Sequence, residues 1–349
     1  MDERGKLGII RKGTTSKPFR IIRNVIAVVV TLGLLAYLIY YVKPKTFAET
    51  IIQIDPWILL LALFISVLMI FIKVIRWKYI LGKLDINISF WKTLQFTFIG
   101  SFGAAVTPAK IGDVLRAFYL SKWTETKESS SVFSVILDRV MDLISISVFS
   151  IIALPFYFVG LESIIKWGIA GGLTIVAIVV FFTFNKQIIK KIVFLLMRLR
   201  RKKNTEGEDN EPRAIKYIDD YYSHLTCFNL RNYSALFLLS FLFWILLGTQ
   251  VSLLIFSLSS TVMSFQNTLT IIGIMAIAAV VSLLPISLSG IGIRDLTITF
   301  LVYFSLLIQS EYAFSASIIQ TVFNMLLPAL IGGIFVLVLR RKKKRNNEL

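Results

Sequence analysis

Long uninterrupted runs of apolar residues constrain this chain more than any other feature of its sequence. Six runs approach the roughly 20 residues that a helix needs to cross a bilayer, and they cover residues 25–42, 57–75, 132–159, 165–184, 235–258 and 315–339. The runs are continuous rather than alternating, which excludes an outer-membrane barrel. The first exceeds the apolar core of a cleavable signal, so we expect it to remain as a span. The chain, 56% hydrophobic, is therefore predicted to be an all-α polytopic membrane protein.

The distribution of basic residues predicts the orientation of these runs, because loops rich in Lys and Arg face the cytoplasm. Basic residues are dense in the segments 1–24, 73–92, 185–233 and 340–349. This places Lys73 and Arg76 in a cytoplasmic loop. Few positive charges occur in the segments 43–55, 160–164 and 259–266, which are expected outside the cell. The expected organisation is a cell-membrane protein with a cytoplasmic tail at 1–24, one transmembrane domain at 25–339, a cytoplasmic insert at 185–233 and a second cytoplasmic tail at 340–349.

Two further apolar regions, residues 94–120 and 269–307, are interrupted in the middle by Pro, Gly and charged residues. The orientation above requires the first region to begin and end at the cytoplasm and the second to begin and end outside. We therefore predict about six full transmembrane helices plus two re-entrant helical hairpins of opposite orientation, as in inverted-repeat transporters. The alternative is a pair of full-length helices in each region. The predicted tips contain Pro108, Gly112, Pro285, Gly290 and Gly292.

Eight charged residues remain inside apolar regions after the loops and tails are assigned. The basic ones are Lys110, Arg116, Arg139 and Arg294. The acidic ones are Asp113, Asp138, Asp142 and Asp295. A charge at the centre of a membrane helix costs roughly 2.5–3.5 kcal/mol on insertion scales, so such residues are retained for a reason. We predict that the two balanced sets converge on one polar site.

Adjacent charges allow a second interpretation of the same residues. The pairs Asp113–Arg116, Asp138–Arg139 and Arg294–Asp295 would act as structural ion pairs that hold the hairpins in place. Asp138 and Asp142 are four residues apart and share one helix face. One of them is expected to neutralise Arg116 or Lys110. The structural and the binding interpretations are compatible with each other.

Several kinds of chemistry are excluded by what the sequence lacks. One Cys and one His leave no intrachain disulfide and no Cys–His zinc cluster, and no cofactor is expected. Phosphate-binding loop, nucleophile-elbow and zinc-protease motifs do not occur, so we expect no enzyme activity. The net charge of +18 is attributed to basic loops that rest against anionic lipid, and no nucleic acid partner is expected.

Three segments together resemble one known family. Residues 108–116 read PAKIGDVLR and resemble P-x-[RK]-x-G-[ED]-x-x-R, residues 138–142 read DRVMD and resemble [ED]-R-x-x-D, and residues 285–294 read PISLSGIGIR and resemble P-x-x-x-G-G-x-G-x-R. In this order they resemble the lysylphosphatidylglycerol synthase transmembrane-region family, also called flippase-like proteins. Lys110 stands where Arg is common, which keeps the charge but loses bidentate geometry. Ser289 replaces the first Gly of the late motif.

The resemblance implies a membrane module that handles lipids, without the synthase or glycosyltransferase domain that some family members carry. Lysyl transfer is therefore not expected. The four basic residues are the expected ligands of a phosphate-bearing head group, on a phospholipid or a polyprenyl phosphate, and the four acidic residues neutralise them in the empty state. Membrane lipids are the expected partners. The open alternatives are a small-solute or proton-coupled transporter, and a non-transporting subunit that docks a separate lipid-modifying enzyme or glycosyltransferase.

Overall fold

The computed structural model describes residues 49–50, 52–107, 110–157, 163–191, 213–259, 261–283, 287 and 289–347. Every regular element in these residues is helical. The tail 1–24, the predicted span 25–42, part of the insert 185–233, and the tip residues Pro108 and Pro285 lie outside the described residues.

Besides a helical stretch at residues 186–191, eleven α-helices make up the described part of the chain. They are α1 (Pro56–Lys83), α2 (Phe90–Ala105), α3 (Leu115–Thr124), α4 (Glu128–Tyr157), α5 (Ser163–Phe184), α6 (Arg213–Ser223), α7 (Leu230–Leu258), α8 (Phe265–Val281), α9 (Ile293–Leu306), α10 (Ser310–Thr321) and α11 (Leu327–Asn347). Short 3₁₀ turns cover Ile111–Val114 and His224–Cys227, and a π-helical segment at Val322–Leu326 joins α10 to α11. Helix α11 continues through most of the predicted C-terminal tail.

Local sequence signals explain where several of these helices begin. Asp55 accepts a hydrogen bond from the backbone N–H of Trp57 at 2.8 Å, and Pro56 occupies the first helical turn, where its missing N–H costs nothing. Ser89 and Ser264 cap α2 and α8 in the same way through their hydroxyl groups. These caps set the starts of two helices that carry the interrupted apolar regions.

Three of the described segments are long and apolar enough to cross a membrane, namely Pro56–Lys83, Leu230–Leu258 and Ser310–Leu339. They agree with three of the predicted spans but extend them, most clearly at α1, which continues to Lys83 rather than ending near residue 75. The outer face of α1 exposes large apolar side chains such as Trp57, Leu60 and Phe64. A surface of this kind suits contact with lipid tails rather than with water.

Each interrupted region folds as a helix–turn–helix unit. In the first unit α2 and α3 pack against each other, with residues 106–107 and 110–114 described between them, and in the second unit α8 packs against α9, with residues 282–283, 287 and 289–292 described between them. Helix α7 contacts α1, α4, α8 and α10, while α2 packs along α11. The turns of both units therefore lie next to the same group of helices.

Hydrogen bonds between polar side chains join the helices that surround these turns. The side chain of Gln250 on α7 donates to the backbone oxygen of Ala62 and to the hydroxyl of Ser66, each at 2.6 Å. Asn324 in the π-helical segment donates to the amide oxygen of Gln250 at 2.7 Å. Hydrogen bonds of this kind join helices inside a membrane, where lipid offers no alternative partners.

Candidate functional site

Arg76 on α1 connects three helices at the centre of the charged region. Its Nε donates to Oδ1 of Asp138 at 2.5 Å, and its Nη1 donates to Oδ1 of Asp142 and, at 2.6 Å, to the hydroxyl of Ser240 on α7. The side chain is only 1% exposed. The prediction that placed Arg76 in a cytoplasmic loop is therefore wrong. The apolar run stops before Arg76 but the helix does not, and Arg76 lies seven residues after the buried Met69, on the same helix face.

Arg116 on α3 is held by the same group of carboxylates. Its Nη2 contacts Oδ2 of Asp138 at 2.6 Å and Oδ2 of Asp113 at 3.0 Å, and its guanidinium lies 4.6 Å from the ring centre of Trp77. The side chain is 2% exposed. The expected pairing between the first turn and Asp138 is therefore observed. Arg116 is buried in this contact and does not line the cavity described below.

Arg139 links this buried network to an open space. Its Nε and Nη2 both contact Oδ2 of Asp113, at 2.7 and 2.6 Å, and its Nη1 lies 3.6 Å from Oδ2 of Asp142. The side chain is 38% exposed, far more than those of Arg76 and Arg116. The expected pair between Asp138 and Arg139 does not form in the described residues, because Asp138 contacts Arg76 and Arg116 while Arg139 contacts Asp113 and Asp142.

Arg294 and Asp295 form the equivalent contact at the start of α9. The guanidinium of Arg294 reaches Oδ1 of Asp295 at 2.8 Å and also donates to the hydroxyl of Thr321 on α10. Oδ2 of Asp295 accepts a hydrogen bond from the backbone N–H of Gly292 at 2.9 Å, which caps the helix. This expected pair is observed, and it positions Arg294 at the turn of the second unit.

A cavity of about 130 Å³ lies between the two turns. Lys110 and Arg139 reach it from the first unit and α4, and Ser289 and Arg294 reach it from the second unit. Asn324 and Met325 of the π-helical segment also line it. Such segments are frequent at functional sites because they displace side chains from regular helical positions.

The cluster around this cavity carries more positive than negative charge. Arg294, Arg139 and Lys73 lie close enough to Lys110 for their charges to act on its ammonium group. Lys73 lies 4.7 Å from the ring centre of Phe243, which lines the cavity. Neither lysine forms an ion pair with a carboxylate of the described residues. With Arg76 and Lys73 included, six basic side chains stand against four acidic ones, so the predicted balance of four and four is wrong.

An apolar groove of about 350 Å³ adjoins the charged cavity. Lys110, Arg139 and Asp142 line both spaces and separate them. The other groove residues are mainly apolar side chains of the first turn and of helices α4, α5 and α8. Ile111 is 66% exposed and Val179 is 40% exposed, so the groove opens at the apolar outer surface of the protein.

Both turns hold a residue of the cavity wall in a conformation that ordinary residues rarely adopt. Lys110 has φ 56° and Ser289 has φ 55°, in the left-handed region. Such conformations persist only where the surroundings enforce them, and they are common at functional sites. Gly112 shows how closely the first turn packs, because a Cβ atom there would lie 2.0 Å from the backbone oxygen of Gly103. The first turn is thus pressed directly against α2.

The arrangement suits the binding of an anion rather than of a metal ion. In the described ranges, no group of three or more His, Cys, Asp or Glu side chains is placed to hold a metal. The four carboxylates face arginines, and Lys110, Arg139 and Arg294 line the cavity. His224 lies away from this region and contacts the hydroxyl of Ser130 at 3.0 Å, and Cys227 is exposed.

Comparison with known proteins gives the same family along most of the chain. A family model described as lysylphosphatidylglycerol synthase TM region matches residues 24–332. A UPF0104 membrane protein of Methanocaldococcus jannaschii is 24% identical over 336 residues, which cover 93% of this chain and 97% of that protein. A UPF0104 membrane protein of Pyrococcus horikoshii is 23% identical over 335 residues, which cover 91% of this chain and 98% of that protein.

Proposed function

This chain belongs to the lysylphosphatidylglycerol synthase TM region family, and from this membership and the charged cavity we propose that it binds the phosphate-bearing head group of a membrane lipid and carries it between leaflets. The observation that supports this most strongly is the shared wall of the cavity and the apolar groove. A lipid has a charged end and an apolar end. The two adjoining spaces offer a place for each.

The basic residues at the wall have the chemistry for phosphate. Arg139 and Arg294 present guanidinium groups, which form strong charge-assisted bonds with phosphate oxygens, and Lys110 adds a point charge. In this proposal Arg76 and Arg116 position the site, since both are buried in ion pairs. The roles of these residues as head-group ligands remain predictions that the experiment below tests.

The interrupted regions are proposed to be re-entrant hairpins that bring the site into the membrane. Helix α2 has 16 residues and α3 has 10, lengths of about 24 and 15 Å at 1.5 Å per residue. Helices α8 and α9 have 17 and 14 residues, or about 26 and 21 Å. All four are shorter than the hydrocarbon layer of roughly 30 Å. Their turns would then meet within the layer, where irregular backbone is tolerated only around a polar cavity.

Transport of a water-soluble solute is the competing function, and the groove argues against it. A solute pathway needs a polar route to each side, whereas the groove is bordered by apolar side chains and opens toward lipid. Only the charged head group needs the polar cavity, and the tails remain in apolar surroundings throughout. A substitution inside the groove therefore separates the two functions.

The test uses liposomes that contain the full-length protein and a fluorescent phospholipid, with a quencher that bleaches the outer leaflet only. Wild-type protein is expected to expose inner-leaflet lipid to the quencher. Arg139→Gln should slow this exchange roughly tenfold or more, because a hydrogen bond to a charged group contributes about 1.5–3 kcal/mol. Asp113 keeps Arg116 as a partner in this variant, so the fold should persist.

Two further variants complete the test. Lys78→Gln removes one charge from an exposed position on α1 and should behave as wild type. Val179→Trp fills the mouth of the groove and should slow lipid exchange while leaving the charged cavity intact. Equal exchange by wild type, Arg139→Gln and Val179→Trp at matched folding would exclude this site as the lipid route.

A further inference from the structure

We propose that the charged cavity selects lipids whose head group is a phosphate monoester, with close to two negative charges, over lipids with a phosphodiester head group. This inference rests on the function proposed above and specifies its substrate class. It follows from two independent observations, the surplus of positive charge and a set of buried polar atoms without partners.

The excess of basic over acidic groups in the cluster determines which ligand charge the cavity binds most tightly. Six basic groups and four carboxylates make up the described cluster, and Lys73 and Lys110 are the two bases that form no ion pair in it, although the carboxylate of Asp142 lies near enough to act on both. Phosphate monoesters carry roughly −1.5 to −2 charges at neutral pH, which is close to the charge of these two lysines when both are protonated. A phosphodiester with one charge leaves one lysine uncompensated, and a zwitterionic lipid leaves both. Uncompensated charge is costly at low dielectric, so the dianion gains most.

Buried polar atoms at the cavity wall supply the second observation. Among the described residues, the indole N–H of Trp244, the hydroxyl of Ser289 and the amide oxygen of Gln320 have no hydrogen-bond partner. All three residues line the cavity, and they are 8%, 2% and 4% exposed. Buried polar side chains usually have a partner, and three of the eleven exceptions in the described residues surround this one space, which indicates a site for a polar ligand.

Two of these three atoms match a terminal phosphate, whereas the amide oxygen of Gln320 can only accept and would need a donor elsewhere on the ligand. An indole N–H can only donate, and a serine hydroxyl can donate as well as accept. A monoester presents three terminal oxygens, each a strong acceptor, whereas a diester uses one of these positions to hold its second substituent. Trp244 also lines the apolar groove, so an oxygen bound there lies where the head group joins the tails.

A free phosphate ion shares this chemistry, and the adjoining groove is the reason to favour a lipid. The full-length protein in detergent is titrated with four probes, and bound ligand is counted by native mass spectrometry. The probes are dioleoyl phosphatidic acid as the monoester, dioleoyl phosphatidylglycerol as the monoanionic diester, dioleoyl phosphatidylcholine as the zwitterion, and inorganic phosphate. Equal tails ensure that only the head group differs between the lipids.

The Kd of wild-type protein for phosphatidic acid is expected to be about tenfold lower than its Kd for phosphatidylglycerol. Lys110→Gln should reduce this preference to near unity by weakening the monoester and leaving the diester almost unchanged. Lys73→Gln should also reduce this preference to near unity. Because Lys73 lies on α1 and not in the turn, this variant tests the inference even if Lys110→Gln disturbs folding. Lys78→Gln, an exposed position on the same helix as Lys73, should retain the full preference.

Each remaining outcome has a defined meaning. Equal affinity of the wild type for phosphatidic acid and phosphatidylglycerol would overturn the monoester inference while the proposed function stands. Absence of lipid binding would overturn both. Displacement of phosphatidic acid by inorganic phosphate at equal concentration would show that the tails contribute nothing, and would overturn the assignment to a lipid.

Discussion

The carboxylate of Asp138 is the most consequential single charge in the buried network, and Asp138→Asn tests its role. Oδ1 accepts from Arg76 at 2.5 Å and Oδ2 contacts Arg116 at 2.6 Å, and both arginine side chains are at most 2% exposed. An asparagine of the same shape offers one acceptor oxygen instead of two. It also removes one negative charge, so the positive surplus of the cluster rises.

The expected cost follows from these contacts. Breaking one side of a buried ion pair costs about 3–5 kcal/mol, because a buried charge loses its partner. Arg76 keeps Asp142, and Arg116 keeps Asp113, which limits the loss. We therefore expect Asp138→Asn to lower the free energy of unfolding by about 3 kcal/mol, at the low end of that range.

The measurement is equilibrium unfolding in mixed detergent micelles, followed by circular dichroism. Asp220→Asn is the matched control, since Asp220 pairs with Lys127 at 3.8 Å and the lysine side chain is 73% exposed. Surface pairs of this kind contribute about 0–1 kcal/mol. If Asp138→Asn unfolds within 1 kcal/mol of wild type, as the control does, then the network around Arg76 does not hold the helices together and this reasoning is refuted.

Three other predictions concern different parts of the protein. Gly112→Ala should destabilise the fold by about 1–3 kcal/mol and slow lipid exchange, because its methyl group would meet the backbone of Gly103; unchanged melting and exchange would contradict this close contact. Gln250→Leu removes hydrogen bonds that join three segments, including the one from Asn324, and should cost about 1–3 kcal/mol in the same unfolding assay. Burial lowers the pKa of His224 below 6.5, so the unfolded state binds a proton first and local stability is present above pH 6.5 and lost as the pH falls; the hydrogen-exchange protection factors of residues 213–227, which correct for the slower intrinsic exchange at low pH, should fall between pH 7 and about pH 5, and less so in His224→Gln.

The length of the apolar runs predicted three of the long helices, whereas the orientation inferred from charge remains a prediction. The runs that became α1, α7 and the α10–α11 segment were recognised because membrane spans need length and apolar composition. The two interrupted regions fold as helix–turn–helix units at the places where Pro, Gly and charge break the pattern. Helix ends were less accurate, because a helix stabilised by packing continues beyond its apolar run, as α1 does to Lys83.

The composition of the charged cluster was predicted only in part. We expected Asp138 or Asp142 to neutralise Arg116 or Lys110, and in the structure Arg116 pairs with Asp138 at 2.6 Å. Arg76 and Lys73 were missed because counting positive charges near a helix end assigns them to the cytoplasm. The helical register of Arg76 with Met69 would have identified the buried face. The groove and the unpartnered atom of Trp244 depend on how distant helices pack, which no local pattern reveals.

The central claim is that a lipid head group occupies the cavity between the two turns while its tails lie in the groove. The most direct measurement is photo-crosslinking in liposomes with a lipid that carries a diazirine beside its phosphate, followed by peptide mapping. We expect the diazirine lipid to label the first turn around Lys110 and the second turn around Ser289, and both labels to be strongly reduced in Arg139→Gln. Labels confined to the outer faces of α1 and α11, and unchanged by Arg139→Gln, would contradict it.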